Sequence, residues 1–346
     1  MTTERTAPAG KRTHIGRRLL PARVAPANLI ERLALPGAWL ALVIVFGALR
    51  PTEFLTAGNF ESIFGSQAVL VVLTCGLLIP LTAGDYDLSI TGTLMLSQMM
   101  LGVLQAQHGW ALSTVIPLCL ATGAVVGSVN GALVMVFGID PFIVTLGTGT
   151  FLQGIVLWIS NSMSFSGIST DLVNVVVVDR FLGIPLEFYY GLGLCAVLWY
   201  LFEFTAMGRR LLFVGRGRDV ARLSGLRVGR LRWGALVASG VISAAAGILY
   251  AGTTGSADPT SGSSYLLPAF AAAFLGATTI APGRFNPWGS FVAVYFLVTG
   301  ITGLSLLGVR SFTQDLFYGG ALVIAVTLSQ LARSRAAHES GPRGTS

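Results

Sequence analysis

Ten apolar runs, most of them near 20 residues long, follow one another along this 346-residue chain, and a helix needs about 20 such residues to cross the ~30 Å hydrocarbon core of a bilayer. They centre on residues 36–54, 63–82, 88–105, 111–137, 139–160, 188–206, 233–252, 264–280, 288–307 and 312–331. In lipid every backbone N–H and C=O must be satisfied within the protein, so runs of this length are expected to be helices. Charged residues make up 11% of the chain against 53% hydrophobic ones, less than half of the roughly 25% charged in soluble domains. The fold class that follows is an all-α integral membrane protein with about ten transmembrane helices. In the first run the cleanly apolar part stops at Arg50, which has to snorkel. The eighth is Ala-rich and is expected to be bent or partly inserted.

Charge then orients the spans. Eight arginines lie between Arg209 and Arg232, opposed there by one carboxylate, Asp219. At about 2.5–3.5 kcal/mol for each Arg at the bilayer centre, burying all of them would cost on the order of 20 kcal/mol. The segment therefore stands outside the membrane. The tail up to Arg32 carries seven basic residues, and the C-terminal tail carries Arg333, Arg335 and Arg343. Positive-inside asymmetry places all three on the cytoplasmic side. Six spans before the Arg-rich segment and four after it satisfy that parity, and residues 161–187, with Asp171, Asp179, Arg180 and Glu187, become the longest external loop. The expected organisation is a disordered basic tail over 1–35, without a cleaved signal peptide, a membrane domain over 36–332 containing a cytoplasmic loop at 207–232, and a cytoplasmic tail over 333–346. Because the basic residues gather in these segments, the net charge of +7 needs no nucleic acid to explain it.

Several chemistries are absent from the sequence. The only lysine, Lys11 in AGKRT, is followed by Arg12 and lacks the upstream glycine of a phosphate-binding loop, so ATP is not expected to bind here through that motif. Neither HExxH nor a GxSxG elbow occurs, which argues against an enzyme. His14, His108 and His338 form no cluster, and Cys75, Cys119 and Cys195 lie far apart in apolar runs as small buried hydrophobes, so neither a metal nor a redox site is expected. Two rows of small residues, Gly123, Gly127 and Gly131 in the fourth span and Ser239, Ser243, Gly247 and Ala251 in the seventh, predict close helix contacts.

Ionisable residues in or beside the spans are Asp85, Asp87, Asp140, Glu203 and Asp315. Such groups are functional hypotheses in lipid. Glu203, in WYLFEFTAMGRR, has Arg209 and Arg210 as expected interfacial partners, and Asp315 has Arg310. Asp85 and Asp87 sit in PLTAGDYDLS, where Pro80 and Gly84 interrupt an apolar run. Two readings stand for this pair: a polar element lining a pathway, or a helix start in which Asp87 or Ser89 caps the third span.

Four stretches in order resemble the permease subunit of bacterial ABC importers for ribose and related sugars. TAGDYDLSITGTLML at 82–96 resembles that family's GGIDLSVGS element, and GSVNGALVMVFGIDPFIVTLGTGT at 127–150 resembles its GxxNGxL…GIxPFIVTLGT run. MGRRLLFVGRGRDVARLSGLRV at 207–228 is similar to FGRRLYAVGGNPEAARLSGI, and LLPAFAAAFLGATTIAPGRFNPWGS at 266–290 is a looser version of a fourth element. The resemblance covers about residues 57–332. It implies an ABC importer permease fold, type II-like and resembling the vitamin B12 importer permease. It also implies a second permease copy, two ATPase subunits that carry ATP and Mg on their own chains, and an extracytoplasmic solute-binding protein. No cofactor is implied in this chain, and the surrounding partner is membrane lipid.

The expected function is passage of a sugar or related small polar solute (a pentose, hexose or polyol), driven by ATP on the partner chain. The resemblance makes the short helix after the sixth span the ATPase-docking element, with Arg209, Arg210, Gly215, Asp219, Ala221, Arg222, Leu223, Ser224 and Gly225 as its residues. Val220 and Leu223 share one helical face and Gly225 supplies a stop. Candidate pathway residues are Asp85, Asp87, Asn130, Phe142, Thr145, Thr148, Phe151 and Gln153, with Trp158 as a further stacking surface; each has helix packing as its alternative. The sequence departs from the family pattern at Gly217 and Arg218, which stand where the family has Asn-Pro, and at Asp85 and Tyr86, which replace Gly and an aliphatic residue. A competing reading is an ion-coupled secondary transporter using Asp85 and Asp87.

Overall fold

A computed structural model describes residues 26–310 and 312–339. Arg343 and the basic tail through residue 25 lie outside the described residues. The first helix, α1 (Pro26–Leu49), begins ten residues before the expected span and ends at the Arg50–Pro51 break, after which α2 (Pro51–Phe54) is a single turn. Residues 26–35, expected in the tail, are thus helical. Pro36 has no N–H for the carbonyl of Arg32, and that carbonyl instead accepts a hydrogen bond from Thr279 Oγ1 at 2.7 Å. Trp39 Nε1, donating to Thr299 Oγ1 at 2.9 Å, holds the same helix to α14 (Pro287–Leu306).

Helices α3 (Ala57–Gly65) and α4 (Ala68–Thr82) form one apolar stretch, and every residue of α4 is buried. Next come α5 (Ile90–Gly102), which runs into a wider turn over Val103–Gln107, α6 (Leu112–Met135), α7 (Pro141–Ser160) and the single turn α8 (Thr170–Val173). Helix α9 (Leu186–Phe204) bends by 75° into α10 (Ala206–Arg216), and the short α11 (Arg218–Leu223) leads to α12 (Val228–Thr254). The chain closes with α13 (Leu266–Gly276), α14 and α15 (Phe312–Glu339).

The small-residue rows are contact seams around α12. A Cβ at Gly127 would stand 2.4 Å from the Leu236 carbonyl oxygen, one at Gly123 2.4 Å from that of Gly240, and one at Gly247 2.3 Å from that of Leu94. Without side chains at these points α12 lies directly against α6 and α5. Each of the ten predicted segments contains a helix. Among the described residues six helices are long and apolar enough to cross a membrane, or seven if the α9–α10 pair is one span, against the ten expected. The shortfall is one of length: α5 has 13 helical residues and α13 has 11.

At the far end of α12 two strand pairs trim the loops: β1 (Phe165–Ser166) with β4 (Ser256–Ala257), and β2 (Arg180–Phe181) with β3 (Ile184–Pro185). Asp258 accepts hydrogen bonds there from Ser164 Oγ at 2.7 Å, from Thr260 N and Oγ1 at 2.8 Å, and from Ser261 N at 2.9 Å. The Ser164 bond and the backbone N–H groups hold its carboxyl down at about 2.

Four expectations about side chains change. Glu187, assigned to an external loop, is 2% exposed in the first turn of α9 and accepts from Thr253 Oγ1 at 2.7 Å. Glu203 pairs with Arg284 at 3.1 Å, because the loop before α14 comes closer than Arg209 or Arg210. Cys75 and Cys195, distant in sequence, meet at 3.3 Å between α4 and α9. Asp315 forms no ion pair with Arg310 among the described residues.

Candidate functional site

The PLTAGDYDLS break is built by a helix end. Gly84, at φ +82°, closes α4: its N–H bonds the Leu81 carbonyl at 3.1 Å and the Asp85 N–H bonds that of Pro80 at 2.9 Å. This Schellman arrangement needs a left-handed residue, which glycine supplies without strain. It turns the chain so that Asp85 and Asp87 leave the helix end in different surroundings.

Asp85 has a fully buried side chain. Arg232, at the start of α12, grips it with two bonds, Nε to Oδ2 at 2.7 Å and Nη2 to Oδ1 at 2.6 Å. Arg218 of α11 adds Nη2 to Oδ1 at 2.8 Å, and the same Nη2 donates to the Gly84 carbonyl at 2.7 Å. Such bidentate, charge-assisted contacts fix geometry as well as charge. Asp85 is therefore neither a helix cap nor an open pathway carboxylate. Because these partners lie more than 130 residues away, sequence reasoning missed Arg218 and Arg232; the available signal was a buried carboxylate in a chain whose excess arginine lies in one segment.

Asp87 belongs to a second set. Its Oδ1 accepts from Ser89 N at 3.0 Å and Ser89 Oγ at 2.6 Å, shaping the entry to α5. Asn130 Nδ2 donates to Ser89 Oγ at 2.9 Å, and Thr148 Oγ1 donates to Asn130 Oδ1 at 2.7 Å. Thr145 Oγ1 accepts from Leu88 N at 3.0 Å. Four of the predicted pathway residues, Asp87, Asn130, Thr145 and Thr148, are thus brought together where α5, α6 and α7 meet. The close crossing of α5 and α7 depends on glycine, since a Cβ at Gly92 would stand 2.7 Å from the Gly149 carbonyl oxygen. Ser89, which joins Asp87 to Asn130, went unnoticed in the sequence except as a cap.

The remaining pathway candidates fall elsewhere on α7. Asp140 caps that helix, accepting from Phe142 N at 2.8 Å. Phe142, Phe151 and Trp158 point outward, and Gln153 is half-buried. Between α6 and α7 lies an open groove of about 430 Å³, lined by Val129, Leu133, Ile143, Gly147, Phe151 and Thr148. The polar chain from Asp87 ends on this groove at Thr148.

In the Arg-rich segment the residues split into two groups. Arg218 and Arg232 turn inward to Asp85, while Arg209, Arg210, Arg216, Arg222, Arg227 and Arg230 are exposed, as are Asp219 and Ser224. Ala221 is buried with Val214 and Val228, so α11 sits on α10 and α12 through that face. Gly215 lies against the end of α4, where a Cβ would stand 2.1 Å from the Thr82 carbonyl oxygen. Ala221 is therefore not free to meet a partner, whereas Gly215 stays exposed but has no room for a side chain. Gly225, at φ +80°, ends α11 through bonds from Gly225 N to the Arg222 carbonyl and from Leu226 N to that of Ala221. Beside the exposed Asp219 and Arg222, α11 leaves an apolar pair open: Leu223 is 88% exposed and Val220 58%.

Residues 59–326 match the model of the branched-chain amino acid transport system permease components. The chain belongs to that family of ABC transporter permeases. It is 32% identical over 291 residues to the D-allose transport system permease protein AlsC of Escherichia coli K12, covering 84% of this chain and 89% of that one. It is also 32% identical over 295 residues to the ribose import permease protein RbsC of Bacillus subtilis 168, covering 84% and 89% respectively. The autoinducer 2 import system permease protein LsrD of Salmonella typhimurium LT2 is 29% identical over 304 residues, covering 85% of this chain and 90% of that one. No solved structure matches the chain. As a permease, it is a multi-pass membrane transport subunit and not an enzyme.

Proposed function

We propose that this chain is the membrane-spanning permease of an ATP-driven importer for a sugar or a related small polar solute, either a pentose, a hexose or a polyol. It works with a second permease copy, alike or different, and with two ATP-binding cassette subunits that hold ATP and Mg. An extracytoplasmic binding protein delivers the solute. Both termini and the 207–232 segment face the cytoplasm of a bacterial inner membrane. The names of the allose and ribose relatives support the solute class.

The observation that carries the energy-coupling part is the open face of α11. A six-residue helix that presents Leu223 and Val220 to water, ringed by arginines, has the form of an element that enters an apolar groove with an acidic rim. Arg209, Arg210, Asp219, Arg222 and Ser224 make up that rim on this side. Thr148, where the polar chain from the buried Asp87, Asn130 and Thr145 reaches the groove, offers a moving solute a weak hydrogen bond, and Phe142, Phe151, Gln153 and Trp158 on the same helix offer ring faces and an amide. Weak contacts suit transport, since a tight site would not release.

The test is Leu223→Glu. Because the side chain is already exposed, the variant keeps its folded yield, but the ATPase subunit no longer co-purifies and its stimulated hydrolysis falls at least tenfold. Undiminished co-purification would remove the docking assignment. For the solute, melting of the partner binding protein should rise with a sugar or polyol.

A further inference from the structure

We propose that Asp85 is a coupling residue: its buried carboxylate, held by Arg218 of α11 and Arg232 of α12, passes displacement of the docking helix to the start of α5 and so to α7. This rests on α11 being the docking element. Three contacts seat α11 and its neighbours on the membrane helices, and they lead to different places. The Val214–Ala221–Val228 cluster joins α11 to α10 and α12, and Gly215 joins the end of α10 to the end of α4. The Asp85 joint alone leads forward, because Asp85 is two residues from Asp87, whose bonds continue through Ser89 and Asn130 to Thr148 on α7.

The joint is stiff: the carboxylate takes three guanidinium bonds between 2.6 and 2.8 Å and has no exposed surface of its own. A buried ion pair brings little net stability over apolar packing, and its best-attested use is to fix a register or a switch. Arg218 also donates to the Gly84 carbonyl, so α11 holds both the cap of α4 and the first residue beyond it.

The experiment uses the permease with its ATPase partner in proteoliposomes, carrying nitroxides on cysteines placed at Arg227 and Phe151, both exposed and outside the joint. Distances between them are measured without nucleotide and with ATP plus vanadate. Arg218→Gln is the principal variant, because Arg232 still holds Asp85 and the fold is kept. Asp85→Asn with Arg232→Gln is the second, since it leaves no lone buried charge. The native complex should show a nucleotide-dependent distance change that both variants lose, while co-purified ATPase and basal hydrolysis stay within twofold of native. Arg218→Lys, which keeps the charge without the fork, should recover part of the change. A full distance change in Arg218→Gln, or none in the native complex, overturns the proposal. Loss of ATPase from the native preparation would instead overturn the docking assignment on which it rests.

Discussion

The two ends of α12 hold a carboxylate in opposite ways. Near Arg232, Asp85 is sealed from solvent between two guanidinium groups. Beyond Thr254, Asp258 is partly exposed and is held by hydroxyl and backbone N–H donors, with no cation paired to it among the described residues. In a sealed site the ion pair is little screened by salt, and removing one member strands the other's charge. In an open site, hydrogen bonding to the charged form lowers the pKa while water limits the energy involved. One end is thus a sealed, rigid ion pair, and the other ties two loops together through partly exposed hydrogen bonds.

Both ends depend on α12 being seated, so the largest effect is expected from Gly127→Leu. Its side chain would enter the Leu236 backbone, and folded protein recovered by size exclusion should fall to near nothing. Next is Asp85→Ala, which should cost about 3–5 kcal/mol, read as a lowered Tm in detergent. Arg232→Ala should approach that loss. Arg218→Ala should fall well short, because Arg218 is 41% exposed against 13% for Arg232 and leaves the two-bond grip intact.

The smallest effect belongs to Asp258→Asn, less than about 1 kcal/mol at neutral pH once solvent screening is allowed for. Its sign with pH is fixed. The folded pKa of about 2 lies below an ordinary Asp value near ~3.9, so the contribution is complete above pH ~4 and is lost as pH falls toward ~2. The Tm difference between native protein and Asp258→Asn should shrink over that window, whereas the Asp85→Ala difference at pH 7 should persist in high salt.

Much of this was legible in local sequence. Gly225 after VARLS marked the end of α11, and the spacing of Gly123, Gly127 and Gly131 marked a seam. Each is a short-range rule of caps or periodicity. The Asp85 joint was not legible, because which of eight arginines turn inward depends on how α10, α11 and α12 fold back on the α4–α5 break. Crossing number is not read from hydropathy alone: the Ala-rich run 264–280 is apolar enough to suggest a span, while its helix α13 has 11 residues. The outward aromatic face of α7 shares its period with a buried one, so Phe142 and Phe151 could not be told from core residues.

The three native cysteines are all buried, and Cys75 and Cys195 face each other across the α4–α9 contact. A water-borne maleimide therefore finds no native target in the folded protein. Any single cysteine placed on the surface, at residue 223 or 151 for instance, is uniquely addressable in an otherwise unaltered chain.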